Sequence, residues 1–106
     1  MENFDKRKKA HEAKFARDHE LAFKATARRN KLLGLWAAEL MGKTGDDADA
    51  YAKEVIRADF EAPGEEDVFR KVFGDLEAAG VGVSEHRVRR RMAELMDTAR
   101  EQLLEE

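Results

Sequence analysis

The sequence predicts an all-α fold: a four-helix bundle with a long first helix whose N-terminal arm is mobile. Two observations carry the helical part. Apolar residues recur at spacings of three and four, and no stretch alternates strictly as a half-buried strand does. One proline and seven glycines among 106 residues leave few breakers, and most of these gather at Gly42-Lys43-Thr44-Gly45, Pro63-Gly64 and Gly80-Val81-Gly82. These three breaks divide the chain into four helical stretches, which short connections favour as antiparallel neighbours.

The first stretch reads as helix from about Asp5 to Met41, roughly 55 Å at 1.5 Å per residue. The other stretches, of some 15–22 residues, reach only about 25–33 Å. One end of the first helix therefore lacks anything to pack against, and composition says which end. Phe15, Ala22, Phe23, Leu32, Leu33, Leu35, Trp36, Leu40 and Met41 can enter a core, whereas the first fourteen residues offer only Met1, Phe4, Ala10 and Ala13 among charges. Such a segment cannot bury enough surface to fix itself. The arm is set at residues 1–19 and the bundle at residues 20–106.

The second stretch starts at Asp46-Asp47, acidic where a helix N-terminus is positive. Ala48, Tyr51, Ala52, Val55, Ile56 and Phe60 form its apolar stripe. The third follows Pro63-Gly64 with Glu65, Glu66 and Asp67, and turns Val68, Phe69, Val72, Phe73, Leu76 and Ala79 inward. The fourth opens on Ser84, a natural N-cap, and carries Val88, Met92, Leu95, Met96, Ala99 and Leu103 as its stripe.

Composition closes off several kinds of chemistry. With no cysteine, there is no disulfide scaffold, thiolate zinc site or cysteine nucleophile. The longest apolar run, Leu32 to Ala38, is far short of the ~20 residues that span a bilayer, and the N-terminus is charged where a signal peptide is apolar. A cytoplasmic chain, without direct membrane insertion and monomeric when free, is the expectation. Gly42-Lys43-Thr44 imitates part of a phosphate-binding loop, but position 37 is alanine and the preceding segment is helical where a strand is required. It reads as a helix C-terminus closed by Gly42 or Gly45. His11-Glu12 lacks a second histidine at position 15, and Asp47 with Asp49 lacks the remaining ligands of a calcium loop, so no metal site is expected. Ser84-Glu85-His86 has triad residue types but not triad geometry. No catalytic constellation emerges, and the chain is not expected to be an enzyme.

Charge is unevenly spread. Residues 1–30 hold nine Lys/Arg and five Asp/Glu, whereas the remaining 76 hold eleven and eighteen. A basic end on an acidic body points to an acidic partner. The clusters Lys6-Arg7-Lys8-Lys9 and Arg87, Arg89-Arg90-Arg91 are interleaved or flanked by Asp5, Glu12, Glu85 and Glu94, and the overall pI is about 5.7. Nucleic acid is therefore not the expected partner, and Arg90 with Glu94 reads as an i,i+4 pair on a solvated face.

The run Phe23-Lys-Ala-Thr-Ala-Arg28-Arg29-Asn30-Lys31-Leu32-Leu33-Gly34-Leu35-Trp36-Ala37-Ala38, followed by Gly42-Lys43-Thr44-Gly45, is more specific. It strongly resembles the alphaproteobacterial F1Fo-ATPase inhibitor zeta subunit family, long catalogued as a domain of unknown function. Tyr51-Ala-Lys-Glu-Val55, Ala58-Asp-Phe-Glu61 and Ser84-Glu-His86 fit the same pattern, so the resemblance covers nearly the whole chain. It implies a four-helix bundle whose N-terminal segment inserts at a catalytic interface of F1 and blocks ATP hydrolysis more than synthesis. The matching residues are about Glu2 to His19, the same arm that the length argument leaves unpartnered.

The partners so implied are the F1 alpha and beta subunits and the central stalk. Phe4, Phe15 and Phe23 would be apolar anchors, with His11 on the same side of an ideal helix as Phe4 and Phe15. Lys6, Arg7, Lys8, Lys9, Lys14 and Arg17 would meet acidic rims, with His11 and His19 also among the F1 contacts, and whether either histidine makes inhibition respond to pH stays open. Arg28, Arg29, Asn30 and Lys31 have two readings, as contacts to F1 or as a solvated face opposite Leu32, Leu33 and Trp36. No cofactor is expected beyond weak ADP or ATP binding. The alternative is a helical adaptor with weak nucleotide or nucleic-acid binding.

Overall fold

A computed structural model of the chain describes residues 2–106, with side chains described from His19 onward. Four helices account for it: α1 (Glu2–Leu40), α2 (Gly45–Glu61), α3 (Glu65–Ala78) and α4 (Glu85–Glu105), with no strand among the described residues. The four elements and their order match the sequence reading, and α1 begins three residues before Asp5 and ends one before Met41. The expected mobility of the arm, set at residues 1–19, falls on residues whose side chains, up to Asp18, lie outside those described.

α1 packs against all three other helices, most extensively α2 and α4. The core is assembled from the stripes: Leu33, Ala37 and Ala38 of α1, Tyr51 and Val55 of α2, Val68, Phe69, Val72 and Leu76 of α3, and Val88, Met92 and Leu95 of α4. Trp36, Leu40 and Phe73 pack at its edge, half-buried. Phe23 and Phe60 depart from the expectation. They are 65% and 76% exposed, because they sit at the end of the bundle, where the last turn of α2 meets the part of α1 preceding its first described buried residue, Ala25. Ala79 is exposed as well, at the C-cap of α3.

The helix ends follow from local chemistry. Gly42 takes φ 78°, its N–H donates to the Glu39 carbonyl (3.0 Å), and Lys43 N–H donates to the Ala38 carbonyl (2.8 Å). That is a Schellman cap, which occupies the backbone of the segment resembling a phosphate loop. Gly80, with φ 76°, closes α3 the same way, through Gly80 N–H to Glu77 and Val81 N–H to Leu76. Ser84 caps α4, its Oγ accepting from Arg87 N–H at 3.1 Å. Acidic residues fill the first turns of α2 and α3, Asp46 and Asp47 in one and Glu65, Glu66 and Asp67 in the other.

One contact fixes how closely α1 and α2 approach. A Cβ at Gly34 would lie 2.6 Å from the Ala52 Cα, so the two backbones meet where only hydrogen fits. The interior also holds a polar link. Tyr51 OH donates to Asp75 Oδ2 at 2.8 Å, and Lys71 Nζ donates to the same oxygen at 3.1 Å. Burial, reinforced by the Asp75 carboxylate, pushes the Tyr51 phenol well above its usual range.

Candidate functional site: the end of the bundle where α1 emerges

The residues singled out from sequence divide into two groups. Phe4, Lys6, Arg7, Lys8, Lys9, His11, Lys14, Phe15 and Arg17 lie outside the residues whose side chains are described. His19, Arg28 and Arg29 are described and have different fates. His19 is exposed on α1. Arg28 is half-buried, donates to Gln102 Oε1 at 3.1 Å and pairs with Glu106, which ties the end of α4 to α1.

Arg29 corrects the expectation of a surface residue, whether solvated or in contact with a partner. It is 2% exposed, and its neighbour Asn30 is 1% exposed. Arg29 Nε donates to Asn30 Oδ1 (2.8 Å), and its guanidinium reaches Glu65 Oε1 (3.4 Å). Asn30 Nδ2 donates to Asp59 Oδ2 (2.9 Å), and the other Asp59 oxygen accepts from Gly64 N–H (3.3 Å). The pair therefore clamps the α2–α3 turn onto α1, and a buried cation is tolerated because two of its guanidinium nitrogens have partners, one of them a carboxylate. Lys31, the next residue, is exposed, which fits either reading.

Three arginines of the second cluster, Arg89, Arg90 and Arg91, are paired with carboxylates. Arg89 makes a two-pronged contact with Glu66, 3.0 Å on each arm, bonds Glu85, and lies 3.8 Å over the Phe69 ring. The hydrogen bonds from Arg89 hold the Glu66 carboxyl below its ordinary value, and those carboxylates raise Arg89 beyond its own. Arg90 pairs with Glu94 at 3.2 Å, the i,i+4 contact expected, and Arg91 reaches the same carboxylate at 3.0 Å. Arg91 Nε is buried without a partner beside a groove lined by Trp36, Arg87, Arg90 and Glu94.

Among the described residues no cluster of three or more His, Asp or Glu side chains could hold a metal ion. No helix among them is long and apolar enough to cross a membrane.

The geometry defines a class: a small helical bundle with one helix far longer than its neighbours. The sequence model of the family described as ATPase inhibitor subunit zeta matches residues 1–102, and this chain belongs to that family. A protein chain solved by solution NMR is 55% identical to it, with a TM-score of 0.69. The match covers 78% of this chain and 94% of that one. Comparison with curated proteins gives no match.

Proposed function

We propose that residues 1–19 are the inhibitory element and residues 20–106 the handle that presents it. The arm inserts as a helix at a catalytic interface of F1, between an alpha and a beta subunit and beside the central stalk. ATP hydrolysis is then blocked more than synthesis. One observation supports this above the others: α1 has 39 residues, against 17, 14 and 21 in the helices beside it. A helix of that length has a part that its own bundle does not need. Phe4 and Phe15 are the apolar anchors, and the lysines and arginines between positions 6 and 17 speed encounter with acidic rims. Directionality follows if rotation in the hydrolysis sense tightens the wedge and rotation in the synthesis sense expels it. Attachment to the membrane-bound ATP synthase is then peripheral, through F1, and the protein has no catalytic role of its own.

The test is ATP hydrolysis by the cognate F1, cleared of this protein, with the whole chain and with a chain beginning at Glu20. Inhibition by the first alone supports the arm. Equal inhibition by both moves the inhibitory surface onto the bundle.

A minor second reading, weak ADP or ATP binding, has its best place at the Trp36 groove, where an aromatic ring, Arg87 and Arg90 adjoin the unpartnered Arg91 Nε. The Gly42-Lys43-Thr44 segment does not supply it, since that backbone is spent on the helix cap. Nucleotide titration that moves no amide resonance of Trp36 or residues 87–94 dismisses it.

A further inference from the structure

Three large apolar side chains stand out of the described surface: Phe23 at 65%, Phe60 at 76% and Leu104 at 79% exposure. They come from three different helices, yet they gather at one end of the bundle. Phe23 and Phe60 share a groove with Ile56 and Pro63. Leu104 lines another with Leu21 and Leu103. A third groove, lined by Leu21, Ile56 and Leu103, joins the two. The result is one apolar collar around α1 at residues 21–27. Singly exposed apolar residues need no explanation, whereas a contiguous patch does.

The collar's position says what it meets. The collar surrounds the segment of α1 that directly follows the arm, residues 21–27 against residues 1–19. The same helix that carries the arm passes through the collar. A partner that takes in the arm as far as His19 reaches to within about one helical turn of the collar at Leu21. Lys24, Arg28, Lys31 and Glu106 line the joining groove, where Arg28 pairs with Glu106 and Lys24 with Glu20, so the collar's fringe is mixed in charge.

We propose that the collar, led by Phe23, Phe60 and Leu104, is a second docking surface for F1. It seats on an apolar rim at the mouth of the crevice that admits the arm. This rests on the proposed role of residues 1–19 and adds a distinct contact to it. The arm blocks, and the collar sets how deep the arm goes and how long it stays. Apolar anchors at such an interface carry much of its affinity, and their loss acts mainly on dissociation.

The experiment uses the full chain with Phe60→Ser and Leu104→Ser together, neither of them in the arm. Inhibition of F1 hydrolysis is titrated, binding to immobilised F1 is followed in parallel, and thermal melting checks the fold. Half-inhibition is expected to need at least tenfold more variant, with maximal inhibition retained and dissociation faster by a similar factor. An unchanged titration and dissociation rate overturns the proposal. So does a wild-type chain that sediments as a dimer, when the variant is monomeric and inhibits normally; the collar then serves a second copy. A wild-type chain that binds F1 without inhibiting it defeats the arm reading alone, and the variant's dissociation rate still decides the collar. If the double variant melts early, Phe60→Ser alone is read by the same criteria.

Discussion

Residues 20–40 and residues 2–19 belong to one helix, but they are written under different constraints. The first of these segments places Ala25, Leu33, Ala37 and Ala38 at 3% exposure or less, and brings Gly34 against the backbone of α2. The second has ten charged residues among eighteen, and Phe4 and Phe15 are its only large apolar side chains. Packing accounts for the buried positions of the first segment, and the composition of the second offers no comparable apolar stripe. Substitutions should therefore separate, with stability governed by the buried residues of 20–40 and maximal inhibition by residues 2–19.

The largest stability effect is expected at Leu33→Ala, where a side chain with no exposure is cut back in the core. Unfolding in urea should show a loss of about 2–5 kcal/mol. The folded fraction should still inhibit, and a folded Leu33→Ala chain that does not inhibit would break the separation. Gly34→Ala comes next. The added methyl meets Ala52 Cα at 2.6 Å, and overpacking of about 1–3 kcal/mol works against a helix-propensity gain of about 1 kcal/mol. A lower melting temperature is expected, and an unchanged one would mean that α2 retreats freely. Ser84→Ala removes the α4 cap and should cost about 1 kcal/mol in the same unfolding measurement.

Replacing Lys6, Lys8 and Lys9 together by serine should change stability by less than about 0.5 kcal/mol. Association with F1 should nevertheless slow, and the salt dependence of that rate should flatten. A large stability change would show that the arm is part of the packed structure. The smallest effect concerns acid. Glu66 has a carboxyl lowered from its ordinary 4.5 in the folded state, so its contribution is present above that value and fades as pH falls through the folded one. Glu66→Gln should make the acid limb of the stability–pH curve slightly shallower.

Much of this fold is legible in the sequence because its signals are local. Ser84 caps α4, Gly42 and Gly80 close helices, and the three short stripes supply most of the core. Two things escape local reading. Arg29 and Asn30 look like surface residues, because their partners Glu65 and Asp59 lie 36 and 29 positions away and no spacing rule connects them. Phe23 and Phe60 look like core residues, because periodicity identifies a face without saying where along it the neighbouring helix stops. The site itself was legible only as a mismatch of lengths. What the arm touches is a property of its partner, and an amphipathic pattern within this chain does not encode it.

The continuity of α1 has a thermodynamic consequence. Starting an isolated helix carries a nucleation factor of ~0.001, equivalent to about 4 kcal/mol. Here residues 20–40 are already held in helical geometry by α2, α3 and α4, so they act as a ready-made nucleus. Each residue of the arm joins by propagation, a step that is close to neutral. If residues 1–19 are the inhibitory element proposed above, the bundle does more than present them. It removes the start-up term that a free peptide of the same sequence would carry to the binding site.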